Sequence, residues 1–224
     1  MHLNHQPTSS QALALGSEPV TALWFVRHAE VEEKYQNVFG GRIDMELSPR
    51  GHEQAAATAR FLRGRQWDAI YASPMNRVRQ SLAPVLADGA PAPIIVPGLA
   101  EMDFGDWTGL HWEEIERERG ISAARWLEAI EDGSMTNAES LPALHRRVGG
   151  GLDEILARHP GGQVGVFCHG GVIRVAMAHL LGWPLRQLGA VELEYSSVTL
   201  VVCGGGKAHL RLLNLTPWRE LGGS

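Results

Sequence analysis

Thr21-Ala22-Leu23-Trp24-Phe25-Val26-Arg27-His28 decides how this chain is read: six residues with almost no polar side chain, closed abruptly by an arginine and a histidine. A run that is apolar at successive rather than alternate positions suits a strand covered on both faces by helices. Such strands lie in the middle of mostly parallel sheets, whose ligands bind beyond the strands' carboxyl ends. Arg27 and His28 stand at that end. The pattern recurs at 163–168, an apolar strand running into His169-Gly170-Gly171.

Between and beyond these two strands the order of elements is regular. Ser48-Pro49 supplies a helix N-cap and a first-turn proline, and Ala55, Thr58, Ala59 and Leu62 follow at helical spacing. Residues 69–72 read as a second strand, and Ser73-Pro74 repeats the helix-start signal for a helix running to about Leu86. Residues 94–96 read as a third strand. The stretch 107–138, with Trp107, Trp112 and Trp126 among many charges, reads as short helices that form a cap over a pocket. Its tryptophans either line that pocket or simply pack, and both readings stay open. Residues 141–158 and 172–181 read as helices, and 192–203 and 208–213 as late strands joined by a turn at Gly204 to Gly206. Alternating strands and helices predict an α/β fold of three layers, α/β/α. Its central sheet is mostly parallel, with one antiparallel edge strand and a small helical cap segment at about 107–140. Residues 1–19 are expected to be a flexible N-terminal tail and 20–224 one domain.

A chain of 224 residues suffices for one well-buried core. A formal charge of -5 gives no reason to expect nucleic acid or an anionic membrane as partner, so any anion site must be local. The apolar stretch Ala12 to Leu15 is too short for a signal peptide or membrane anchor. Cys168 and Cys203 both lie in apolar runs, where reduced thiols are expected, and that favours the cytoplasm. The glycosylation pattern Asn214-Leu215-Thr216 has no other sign of secretion beside it. Homodimerisation stays open.

His28 and His169 are 141 positions apart, yet two strands ending on the same side of one sheet would bring their rings to one cavity. A small residue follows each, so backbone can approach a ligand closely, and a helix start at Gly170-Gly171 offers free N–H groups to an anion. Arg27 abuts the first histidine, and Arg77 falls in the first turn after Ser73-Pro74. Planar guanidinium groups match phosphate oxygens. The conjunction points to a phosphate.

Six ordered motifs carry a resemblance to a known family: Arg27-His28-Ala29-Glu30, Phe39-Gly40-Gly41-Arg42-Ile43-Asp44, Leu47-Ser48-Pro49-Arg50-Gly51, Ser73-Pro74-Met75-Asn76-Arg77, Glu101-Met102-Asp103-Phe104-Gly105-Asp106-Trp107-Thr108-Gly109 and His169-Gly170-Gly171-Val172-Ile173-Arg174. The chain resembles the histidine phosphatase superfamily, the phosphoglycerate-mutase-like proteins, and within it the phosphatase branch. The resemblance implies that His28 is a phosphoryl-accepting nucleophile and that Arg27, Arg77 and His169 bind the transferred group. It further implies that Glu101 is the proton donor; Gly170, Asn37, Gly41 and Arg42 are further candidate substrate contacts, and no metal or cofactor is expected.

Neighbouring guanidinium charges should keep His28 neutral, as nucleophilic attack requires. His169, if protonated, would add a charged donor. Glu101, beside apolar Met102, Phe104 and Trp107, should hold its proton near neutral pH. Glu30, Asp103 and Asp106 are nearby acids that could compete for that role. Asp44 and Ser48 read better as turn and cap residues. Where the family's first motif often carries Thr or Ser and then Asn, this chain has Val31 and Lys34, so the corresponding contact is either missing or supplied by Lys34 or Asn37.

The expected activity is hydrolysis of a small phosphorylated metabolite through a phosphohistidine. No basic residue follows Glu101 until Arg117, and only 67 residues separate Glu101 from His169, which leaves little material for a mutase's anion clamps and lid. Arg42, His111, His145 and Arg146 could still read a second anion, each competing with a plain surface role. Mutase-type transfer, a catalytically silent phosphate-binding module, and a metal site of two histidines and a carboxylate are the alternatives. Two arginines in the same pocket would repel a divalent cation and so disfavour the last of these.

Overall fold

The computed structural model describes residues 19–122 and 125–220, so all but the last residue of the expected tail lies outside the described residues. The chain runs β1 (Thr21–Arg27), α1 (Pro49–Leu62), β2 (Ala69–Ala72), α2 (Asn76–Ala87), β3 (Ile94–Ile95), α3 (Trp112–Arg119), α4 (Trp126–Glu131), α5 (Leu141–Arg158), β4 (Gln163–Cys168), α6 (Gly170–Leu181), β5 (Val198–Gly204), β6 (Lys207–Leu215) and α7 (Pro217–Glu220). The sheet has the order β3-β2-β4-β1-β5-β6. β1, β2, β3 and β4 pair in parallel, while β5 runs against β1 and β6 against β5. The fold is the expected three-layer α/β arrangement, with the one strand that opposes the rest, β5, set inside the edge rather than on it.

β1 shows why its sequence is apolar at every position. Leu23 and Phe25 point into one buried cluster, with Val148 and Leu152 of α5 and Val172 and Val175 of α6. Ala22, Trp24 and Val26 point into the other, with Ala59 and Leu62 of α1 and Val78 and Leu82 of α2. Side chains alternate along a strand, so a strand sandwiched between helix layers must be apolar on both parities.

Three local expectations are corrected. α2 starts at Asn76 rather than at Ser73-Pro74, with no side-chain cap on its own segment; Asp44 Oδ1 accepts the Asn76 N–H from another loop at 2.8 Å. The third strand shrinks to two half-exposed isoleucines, because β3 is an edge with only β2 beside it. Residues 192–197 are not strand. Ser196 takes a left-handed φ of 54° and its N–H donates to His28 O at 3.0 Å, which turns this segment across the end of β1 before β5 begins at Val198. By contrast, Ser48 caps α1 as expected, accepting from Gly51 N at 2.9 Å.

Candidate active site

β1, β2 and β4 end side by side, and their pairing continues one residue past each strand: His28 N donates to Cys168 O and Ser73 N to Phe167 O, both at 3.0 Å. That places His28, Ser73 and His169 next to one another at the carboxyl edge. The rings of His28 and His169 have centroids 5.2 Å apart. A cavity of about 530 Å³ opens here, and Arg27, His28, Arg77, Glu101, Gly170 and Arg174 are among its lining residues.

His28 Nδ1 lies 2.8 Å from Ala29 O. A carbonyl can only accept, so Nδ1 carries the hydrogen and Nε2 keeps its lone pair. Burial pushes the ring well below the ordinary histidine pKa, and the Arg77 and Arg27 charges push it further. The expectation of a neutral His28 holds, with desolvation rather than the arginines as the larger cause.

His169 is fully buried, which disfavours the protonated form that the sequence left open. Burial, then Arg77, His28 and Arg27, hold it well below its ordinary value. Its Nε2 lies 2.8 Å from Ser73 Oγ, and Ser73 Oγ also accepts the Met75 N–H at 3.4 Å. This arrangement suits a hydroxyl that donates to Nε2 and leaves the hydrogen on Nδ1. The serine read as a helix cap is thus the hydrogen-bond partner of the second histidine. His169 Nδ1 and Arg27 Nε are buried without a protein hydrogen-bond partner among the described residues. Polar atoms buried in that way are costly unless a ligand satisfies them.

The arginines are fastened by backbone. Arg77, 2% exposed, donates Nη1 to Ile43 O and Nη2 to Gly41 O, each at 2.8 Å. Burial lowers its pKa to about 10, which leaves it charged. Gly41 has a φ of +48°, a conformation that costs glycine least, and this turns its carbonyl loop onto Arg77. Arg27 Nη1 donates to Leu193 O, and its guanidinium lies over the Tyr195 ring, 4.3 Å from the centroid. Arg174, quoted in the last motif but given no role in the sequence, also lines the cavity. Its Nη2 donates to Val191 O at 2.8 Å, and burial lowers its pKa to about 10. It sits one helical turn after Gly170 on α6, a spacing that could have singled it out. Tyr195 had no such local signal.

Glu101 is 9% exposed, and its carboxylate accepts from Met102 N at 3.0 Å and from Gly171 N at 3.2 Å. Its competitors are engaged elsewhere: Glu30 accepts from Ser48 Oγ, Asp103 from Gly105 N, and Asp106 from Thr136 and Asn137. Behind Glu101, Arg147 donates to the carbonyls of Gly98, Ala100 and Glu101 and holds Glu139 through two nitrogens at 2.6 and 2.7 Å.

Asn37, Gly41 and Gly170 line the cavity as expected. Arg42 does not. It is half-exposed and reaches Glu139 at 3.8 Å, drawn to a carboxylate already held by Arg147. Of the two candidates for the altered first motif, Asn37 faces the cavity, whereas Lys34 pairs with Glu32 at 3.3 Å in solvent. His111 caps α3, and His145 packs against His179; neither lines the cavity. No group of three or more His, Cys, Asp or Glu among the described residues is placed to hold a metal ion.

Two histidines with lowered pKa values, clustered guanidinium groups and a buried carboxylate thus meet at the carboxyl edge of a mostly parallel sheet. The sequence pattern of the histidine phosphatase superfamily (branch 1) matches residues 23–216, and the chain belongs to that family. It is 29% identical over 192 residues to the adenosylcobalamin/alpha-ribazole phosphatase of Salmonella typhimurium, covering 86% of this chain and 95% of that protein. It is also 29% identical over 194 residues to phosphoserine phosphatase 1 of Hydrogenobacter thermophilus, covering 87% and 92%. The alpha-ribazole phosphatase structure from Shigella flexneri superposes with a TM-score of 0.75 at 26% identity, covering 87% of this chain and 96% of that one. A mycobacterial glucosyl-3-phosphoglycerate phosphatase does so with a TM-score of 0.76 at 25% identity, covering 87% and 99%. The enzyme class expected from the motifs, a histidine-type phosphatase, stands.

Proposed function

We propose that the chain hydrolyses a small phosphomonoester through a phosphohistidine at His28, without a metal ion. The observation that carries this reading is the hydrogen bond from His28 Nδ1 to Ala29 O, which leaves Nε2 an unprotonated nucleophile beside Arg27 and Arg77. Nε2 attacks phosphorus while the bond to the leaving oxygen breaks, and Glu101 passes its proton to that oxygen. Arg27, Arg77, His169 and the N-terminus of α6 at Gly170 take up the charge of the phosphoryl oxygens. Water then attacks phosphorus, Glu101 accepts its proton, the bond from nitrogen to phosphorus breaks, and inorganic phosphate leaves with His28 restored.

Arg27 Nε, a buried donor without a protein partner among the described residues on a side chain that lines the cavity, supports the same assignment. We also read residues 20–224 as one domain whose helices at about 107–140 cap the cavity, a reading supported by Trp112 and Trp126 in its wall. The free thiols Cys168 and Cys203 support a reducing, cytoplasmic setting, and no described helix is long and apolar enough to cross a membrane.

A panel of phosphomonoesters tests the reading. His28→Ala is expected to lose phosphate release by about a thousandfold or more. Excess chelator is expected to leave turnover of the parent unchanged. A variant as active as the parent would remove His28 from the mechanism, and inhibition by chelator would remove metal independence.

A further inference from the structure

The arginines of the cavity are Arg27 at the end of β1, Arg77 in the first turn of α2 and Arg174 on α6. Among the described residues no lysine and no other arginine lines the rest of the cavity; the remaining charges are the carboxylates of Glu192 and Glu194. Glu194 is matched by Arg219 at 3.1 Å, and Glu192 is exposed.

Part of the cavity wall is aromatic. Phe39 meets Phe104 edge-on with centroids 5.2 Å apart, Phe104 meets Trp126 at 5.7 Å, and Phe39 reaches Trp112 at 6.4 Å. Phe39, Phe104 and Trp126 are buried and pack into the core, but Trp112 is 43% exposed although it lines the cavity. Trp112 is the first residue of α3, and its N–H donates to Asn37 O at 2.8 Å, which pins the indole-bearing helix end to the Asn37 side of the cavity. A large ring left half in solvent at the mouth of a site, with its neighbours rigidly packed, is a contact surface for a flat apolar group.

Taken with the phosphatase reading on which it rests, this geometry leads us to infer that the substrate is a phosphomonoester whose alcohol carries an aromatic or heteroaromatic ring and no second negative charge. The ring stacks or packs on Trp112 and its neighbours. A carboxylate or second phosphate placed beside Glu192 would meet its exposed carboxylate, whereas Glu194 is already paired with Arg219. Like charges placed that way select against a partner as effectively as contacts select for one.

The test compares esters with similarly basic aliphatic leaving groups, so that intrinsic reactivity does not decide the outcome: 2-(1-naphthyl)ethyl phosphate, glycerol 2-phosphate, phosphoserine and 3-phosphoglycerate. The naphthyl ester is expected to exceed both carboxylate-bearing esters in kcat/KM by about a hundredfold. Trp112→Ala is expected to lower the naphthyl-to-glycerol ratio of kcat/KM by about tenfold, chiefly through KM. Glu192→Lys is expected to favour the phosphoglycerate ester, whose kcat/KM relative to the glycerol ester should rise by about threefold or more. Equal rates across the panel, or ratios unmoved by both variants, overturn the inference while leaving His28 as nucleophile. Failure of the parent to hydrolyse any of the esters removes the phosphatase reading with it, so the two failures are told apart.

Discussion

His28 and His169 are buried rings held neutral by their surroundings, and that has a consequence for stability as well as for chemistry. Both pKa values lie well below 6.5 in the folded chain and return to about that value on unfolding. Below pH 6.5 the unfolded chain therefore binds protons that the folded chain refuses. The stability is present in full above that pH and declines as pH falls, by about 1.4 kcal/mol per pH unit for each ring at the steepest. Urea unfolding between pH 7.5 and pH 5 is expected to show this decline, and His169→Asn is expected to flatten it; identical slopes would contradict the assigned burial effect. The two rings were legible in the sequence because each directly follows an apolar strand, as was Arg27, the last residue of β1. Ser73 was misread because Ser-Pro is a strong local helix signal, while the partner that claims its hydroxyl lies 96 positions away. The sequence left Arg42 between a substrate contact and a surface role, because a motif does not reveal that Glu139 stands ready to pair with it.

At the scale of elements, α6 and α5 carry the acid between them. A Cβ added at Gly171 would lie 2.5 Å from Glu101 Oε1, so α6 can reach the carboxylate with its N–H only if this residue has no side chain. Gly171 has helical geometry and alanine is the better helix former, so Gly171→Ala should leave the melting temperature unchanged or raised. The displaced carboxylate should lower kcat by about tenfold or more. A fall in Tm with unchanged kcat would show that Glu101 does not depend on this contact.

α5 acts from behind. Arg147 ties the carbonyls on either side of Glu101 to Glu139. Arg147→Ala would leave several carbonyls without a donor and the mostly buried Glu139 carboxylate with only Arg42 at 3.8 Å, at a cost of about 2–4 kcal/mol in urea unfolding. Unchanged stability would mean that the clamp contributes nothing. Most elements were legible because their periodicity and caps are local. The start of β5 was not: Glu192 to Ser197 alternates like a strand, but the carbonyl of His28 and the guanidinium of Arg27 draw it across the sheet end instead.

Over the whole molecule, the two halves of the site meet because β4 inserts between β2 and β1. That single crossover turns 141 positions of sequence into rings 5.2 Å apart. The α/β class could be read from the order of apolar runs, and the facing of the histidines from the rule that ligands bind at strand carboxyl ends. The aromatic wall could not, since nothing local tells a tryptophan that packs from one that waits at a cavity mouth. Direct observation of phosphorus on His28 is the measurement on which the account turns. With a rapidly quenched phosphomonoester, intact-protein mass and peptide mapping should show one phosphoryl group on His28, labile to acid and stable to base, forming and decaying at the rate of turnover. Steady phosphate release with no phosphoryl group on His28 at any time, or with the label on another residue, would contradict it.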